Sequence, residues 1–229
     1  FVVYGVYNSE SAEARFSALA SGIFVIPFFL LSALAGQMAD MRDKSRIIRI
    51  VKFCEIIIMV VGGAGLALAW QGIALHTAAI PLMLLALFAM GVHSTFFGPI
   101  KYAILPQHLR DEEVLSGTGL VEAGTYIAVL AGTIVAGWIS VDTAAILVVV
   151  IAVIGYFAGR KVPPAPPQGK PEPIDYHVVR SSINLVRTTM QDRRVYLAIC
   201  SISFFWAIGT VLFIQFPPLA KNMLHASKE

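Results

Sequence analysis

Charge vanishes from this chain for long stretches and returns in short bursts. Residues 16–35 carry no charged side chain, and a second apolar run, 56–70, follows soon after. An apolar run of about 20 residues is the length that crosses a bilayer as a helix. The pattern predicts membrane helices at 16–38, 47–70, 78–97, 116–139, 143–159 and 195–216. Residues 1–7 are apolar but too short to span, and read as the end of a truncated first helix. The predicted spans are therefore the second to the seventh. Pro27 sits mid-span, where neighbouring helices can satisfy the freed carbonyl and a kink results. Polar turns at Gln71-Gly72, His76-Thr77 and Ser140 with Asp142 mark the opposite ends.

Residues 160–194 break the pattern. They open with Arg160-Lys161 and continue through Pro163, Pro164, Pro166, Pro167, Pro171 and Pro173. Such a segment favours an extended, solvated backbone. Within 174–194, Val178, Ile183, Val186 and Met190 approximate one apolar face, with Arg180, Arg187 and Arg193 elsewhere. This predicts an amphipathic helix near the membrane surface. Pro217-Pro218 is expected to close the seventh span. The organisation is thus a bundle over 1–159, a Pro-rich loop with an amphipathic helix over 160–194, and the start of a second bundle over 195–229. Along the fifth span Gly124, Ala128, Gly132 and Ala136 recur every four residues, a stripe on which another helix can pack closely.

Composition agrees with a membrane protein. Apolar residues make up 57%, charged residues 14%, and mean hydropathy is +0.76. Soluble domains carry about 25% charged residues. Of the 17 Lys and Arg, 14 lie in 42–52, 101–110 and 160–194, loops or helix ends on one predicted side. An excess of Lys and Arg marks the cytoplasmic side. Cys54 and Cys200 lie in or beside spans and far apart, which argues against a disulfide framework or zinc site.

The loop after the second span reads Gly36-Gln37-Met38-Ala39-Asp40-Met41-Arg42-Asp43-Lys44-Ser45-Arg46. Its Gly-x-x-x-Asp spacing, Gly36 to Asp40, with Arg42, Lys44 and Arg46 behind it, resembles the signature loop of the major facilitator superfamily. It departs from that signature at Met41, where a basic residue is usual, and at Asp43, where Gly is usual. Gly98-Pro99-Ile100-Lys101-Tyr102-Ala103-Ile104-Leu105-Pro106-Gln107 and Gly119-Leu120-Val121-Glu122-Ala123 resemble the bacterial lysophospholipid transporter branch. Some members of that branch are fused to acyltransferase and acyl-ligase domains. The resemblance implies an all-α membrane protein: a six-helix N-terminal bundle with its first helix truncated, plus the start of the second bundle. It implies a multi-pass protein of the bacterial inner membrane that moves lysophospholipid by alternating access. Its implied partners are membrane lipid, the lysophospholipid, a missing C-terminal transmembrane half and fused enzyme domains. An exporter of small solutes or drugs, and a non-transporting anchor of a fused acyltransferase, are the other readings. A Gly-Pro antiporter motif is absent from the fifth span, where Gly132 and Gly137 lack a following Pro.

Candidate chemistry rests on a few polar residues within or beside spans. Asp40 is either a member of a charge network with Arg42, Lys44 or Arg46 or a solvated loop carboxylate. Glu122, two turns inside the fifth span, either faces a water-filled cavity or reaches the interface, because a carboxylate in hydrocarbon is costly. Glu55 reads as an interfacial carboxylate. His93 is either a proton carrier or a hydrogen-bonded packing residue. Lys101, after a Gly-Pro break, either holds a phosphate as a point charge or marks topology. Glu122, His93 and Lys101 are the substrate-path candidates. Nucleotide loops, paired catalytic carboxylates, nucleophile elbows and metal-ligand spacings are missing, so the chain reads as no enzyme, with no cofactor, metal or nucleic acid. Gly62-Gly63-Ala64-Gly65 reads as helix packing.

Overall fold

A computed structural model describes residues 10–168 and 173–222. The expected remnant of a first helix lies outside the described residues. Those residues form helices and connecting turns: α1 (Glu10–Met41), α2 (Lys44–Trp70), a π-helical turn (Leu75–Ala79), α3 (Ile80–Ala103), α4 (Leu105–His108), α5 (Asp111–Trp138), α6 (Val141–Arg160), α7 (Val178–Thr189) and α8 (Arg193–Asn222). Six stretches are long and apolar enough to cross a membrane: Arg15–Met41, Lys44–Trp70, Leu75–His108, Asp111–Trp138, Val141–Arg160 and Arg193–Leu212. They correspond to the six predicted spans.

Boundaries differ where local chemistry overrides the apolar pattern. The helix expected to begin at 116 begins at Asp111. Asp111, Glu112 and Glu113 fill its first turn, where carboxylates complement the positive end of the helix dipole. The Arg110 N–H donates to Glu113 Oε2 at 3.1 Å, closing a capping box. The helix expected to end at 97 runs on through Pro99 to Ala103, so Gly98-Pro99 is not a break and Lys101 is helical. Likewise α8 continues beyond Pro217-Pro218 to Asn222.

The most extensive packing pairs α1 with α3, α2 with α6, and α2 with α3. Small residues set these approaches. A Cβ at Gly91 would collide with the Phe24 carbonyl of α1 and with Pro27, a buried side chain. One at Gly63 would lie 2.9 Å from the Ala145 carbonyl of α6, and one at Gly62 3.1 Å from Ala86 of α3. The glycine run of α2 thus works in packing, as its sequence context predicts. The Gly124–Ala136 stripe does not. Gly124 and Gly132 meet open space and the stripe is exposed. Periodicity collects small residues on one face without supplying a neighbour for it.

The tightest apolar packing lies at one end, where Ala39, Ile47, Ile48, Ile100, Ile104 and Ala165 cluster. Ala165 belongs to the Pro-rich segment expected to be solvated, yet it is 1% exposed. The segment stays extended but is strapped across the bundle end. The Lys44 N–H donates to the Ala165 carbonyl at 3.0 Å, Arg49 Nη2 to the Val162 carbonyl at 3.2 Å, and Gln107 Nε2 to the Pro166 carbonyl at 3.4 Å. Three basic loops therefore meet at the same end. The helix expected within 174–194 is α7, and it docks along α1. Gln37 Nε2 donates to Ser181 Oγ at 2.5 Å, and the Asp175 N–H donates to Gln37 Oε1 at 2.8 Å. Ser181 is the buried position, whereas Ile183, Val186 and Met190 of the expected apolar face are exposed.

Candidate functional site

In the signature loop the carboxylate that organises the backbone is Asp43. Its Oδ1 accepts from Ser45 N–H at 2.9 Å, Ser45 Oγ at 2.8 Å, Ala165 N–H at 3.2 Å and, weakly, Arg46 N–H at 3.4 Å. It is both the N-cap of α2 and the tether of the strap. Burial opposes ionisation of Asp43, but the Ser45 hydroxyl and the N–H groups of Ala165, Ser45 and Arg46 outweigh it. The carboxyl is held below its ordinary value of 3.8. Asp40 is exposed and, among the described residues, forms no ion pair with Arg42, Lys44 or Arg46. Lys44 is buried at the start of α2, Arg42 and Arg46 are exposed, and Gly36 faces open space. Just before α7, the Arg180 guanidinium holds the Asp175 carboxyl below its ordinary range, through bonds of 2.8 and 3.1 Å.

Two of the three path candidates converge. Glu122 of α5 accepts a hydrogen bond from the Tyr102 hydroxyl of α3. Lys101 Nζ donates to Thr125 Oγ1 at 3.4 Å and lies 4.7 Å from the Tyr102 ring centroid. Glu122 and Thr125 share a face of α5 at i,i+3 spacing. That face turns to the C-terminal end of α3, with Glu122 about 200° from Gly124 around the helix and Thr125 about 100° from it. The result is a partly buried group of one cation, one carboxylate, a phenol and a hydroxyl. Sequence alone does not expose the roles of Tyr102 and Thr125, although Tyr102 lies in the stretch that carries the resemblance.

His93 stands apart in a second cluster. Its Nε2 lies 3.3 Å from Glu55 Oε2 on α2, and Glu55 Oε2 lies 2.7 Å from Lys52 Nζ. Lys52 Nζ sits 4.8 Å from the Phe97 ring centroid, and Phe97 stacks on His93. The His93 side chain is 6% exposed, and neither ring nitrogen is aligned for a hydrogen bond. An unsatisfied buried polar group costs about 1–3 kcal/mol. Glu55, an interfacial carboxylate by sequence, is instead the hinge of this cluster. Among the described residues no His, Cys, Asp and Glu group could hold a metal ion.

A family description, the Major Facilitator Superfamily, matches residues 3–227. The chain belongs to the Major Facilitator Superfamily. It is a multi-pass membrane chain, and its curated relatives sharpen the comparison. It is 29% identical over 132 residues to "Lysophospholipid transporter LplT" of Photorhabdus laumondii, covering 58% of this chain and 29% of the relative. It is 28% identical over 195 residues to the protein of that name from Serratia proteamaculans, covering 82% of this chain and 45% of the relative. The Salmonella enteritidis protein of that name is 27% identical over 134 residues, 58% of this chain and 30% of the relative. The chain thus spans less than half the length of these relatives. No solved structure matches it.

Proposed function

We propose that the protein containing this chain is a secondary transporter that moves a lysophospholipid across the bacterial inner membrane by alternating access. The observation that carries the reading is the meeting of Lys101 and Glu122 around Tyr102 and Thr125. A lysophospholipid brings a phosphate, a free glycerol hydroxyl and, in a zwitterionic lipid, an ammonium group. Lys101 pairs with the phosphate as a point charge. Glu122 pairs with the ammonium, and Tyr102 serves as a switchable donor between the carboxylate and the incoming headgroup. The acyl chain needs no polar partner and lies along the exposed apolar flank of α5, where Leu120 and Ile127 stand out. The names of the curated relatives support the same substrate class. The signature residues Gly36, Asp40, Arg42, Lys44 and Arg46 act in the conformational switch, with exposed Asp40 meeting a cation of the second bundle in one state.

The test is uptake of lysophosphatidylethanolamine into proteoliposomes holding the full-length protein. Glu122→Gln and Lys101→Gln are expected to lower uptake at least several-fold while leaving membrane insertion unchanged. Uptake at the unsubstituted rate by both variants, at equal protein content, removes the cluster from the mechanism.

A further inference from the structure

The buried histidine of the second cluster has a carboxylate beside it and no hydrogen bond on either nitrogen. A neutral imidazole carries one N–H donor and one lone pair. Here neither is satisfied, in a side chain more than nine-tenths buried. A packing histidine would be expected to use at least one of them. The surroundings bear on its charge. On α2, Lys52 and Glu55 face the ring, while Arg49 is engaged with the Val162 carbonyl and Cys54 is exposed. On α1, packed against the other side of α3 at Gly91, the neighbours at this level are Phe24 and Pro27. On α6, Gly155 and Gly159 lie alongside Lys52, Tyr156 turns its ring to Phe53, and Arg160 is exposed. One carboxylate therefore stands between two bases, a fixed cation and an imidazole.

We propose that Lys52, Glu55 and His93 form a proton-binding site in which the two bases exchange places as the partner of Glu55. With His93 neutral, Glu55 pairs with Lys52 at 2.7 Å, as observed, and the group carries no net charge. Uptake of one proton from the inner aqueous side gives both ring nitrogens an N–H. The Nε2–H, whose nitrogen lies 3.3 Å from Glu55 Oε2 without being aligned on it, then turns into a charge-assisted bond that draws α3 onto α2. Lys52 is released toward the Phe97 ring, 4.8 Å away, whose face accepts a cation. The N–H bond formed at the ring is matched by an O–H bond broken in hydronium, and proton release reverses each step. The glycines beside Lys52, Gly155 and Gly159, leave room for its side chain to move. The proton site stands on this geometry alone. Its coupling to solute movement rests on the transport reading above.

The experiment is nitrogen NMR of histidine-labelled full-length protein in lipid, with His93→Gln identifying the His93 ring signal. Followed over the pH range in which the protein stays folded, the His93 ring signals are expected to pass from the neutral to the doubly protonated form. Glu55→Gln should weaken its proton binding, and Lys52→Met should strengthen it, each by roughly tenfold, which is one unit of midpoint. A His93 ring that stays in one protonation state over that range, or whose midpoint ignores both substitutions, overturns the site. In proteoliposomes the uptake rate should depend on pH in the unsubstituted protein and lose that dependence in His93→Gln. The same pH dependence in both removes the coupling. Absence of lysophospholipid uptake at every pH sinks the substrate reading and leaves the NMR titration to decide the proton site.

Discussion

Asp43 gathers a helix cap, a side-chain hydroxyl and a tether from a distant segment onto one oxygen. Loss of an N-cap alone costs about 0.5–2 kcal/mol. Asp43→Ala is therefore expected to lower the thermal midpoint of the full-length protein in detergent, and Asp43→Asn, which keeps an acceptor, to lower it less. The sign of the pH dependence follows from the lowered folded-state value. The ionised carboxylate stabilises the fold above the ordinary aspartate value of 3.8, and that stabilisation is lost as pH falls through the lower folded value. The gap in midpoint between the unsubstituted protein and Asp43→Ala should stay constant near neutrality and narrow only in strong acid. A gap that narrows near neutrality would assign the effect to another group. At this scale the sequence is partly legible. Asp43 stands out as a departure from the signature, but its capping role is hidden because the apolar pattern starts the helix at 47 and the structure starts it at Lys44. The Glu55–His93 contact is not legible, because the two residues lie on different helices and nothing in their spacing encodes the rotation of one helix against the other.

Helices read well as spans and poorly as faces. Six apolar runs become six long helices because hydrocarbon leaves the backbone no other way to satisfy its hydrogen bonds. Which face meets which neighbour is another matter. The period-four stripe on α5 lies open, while among the described glycines the tightest site is Gly91, with no period to advertise it. Pro27 explains Gly91 in part: the buried proline of α1 needs a partner without a side chain. Substitution separates the two cases. Gly91→Val places a side chain against the Phe24 carbonyl and Pro27, and overpacking a core costs typically about 1–3 kcal/mol. Its yield of monodisperse protein on size-exclusion chromatography should fall sharply. A Cβ at Gly132 meets no atom within 4 Å, so Gly132→Leu should leave the yield of the chain expressed alone near the unsubstituted level. The reverse order of yields would place α5 against a neighbour and α3 away from α1.

Across the whole molecule, charge and packing point to the same end. The basic stretches 42–52, 101–110 and 160–194 are separate in sequence. The strap joins them in space, through Lys44 to Ala165, Arg49 to Val162 and Gln107 to Pro166. The apolar cluster around Ile100 lies beneath it. The opposite turn at 71–74 holds no charged side chain and reverses the chain through Gly72 and Ala74 in left-handed conformations, φ 69° and 46°. A membrane protein with this distribution inserts with its basic end in the cytoplasm. Thiol labelling tests the orientation directly. Cys54 and Cys200 are both exposed, so native cysteines must first be replaced in the full-length protein. A single cysteine at His76, exposed in the uncharged turn region, should react with a membrane-impermeant maleimide added outside intact spheroplasts. One at Gln168, exposed just past the strap, should react only after the membrane is opened. Between the two sites the chain passes through three spans, those of α3, α5 and α6, so the sites lie on opposite sides when each of these crosses. Labelling of both from outside would mean that at least one of the three does not cross the membrane. Labelling of Gln168 alone would invert the bundle and move the proton site of His93 to the outer half of the membrane.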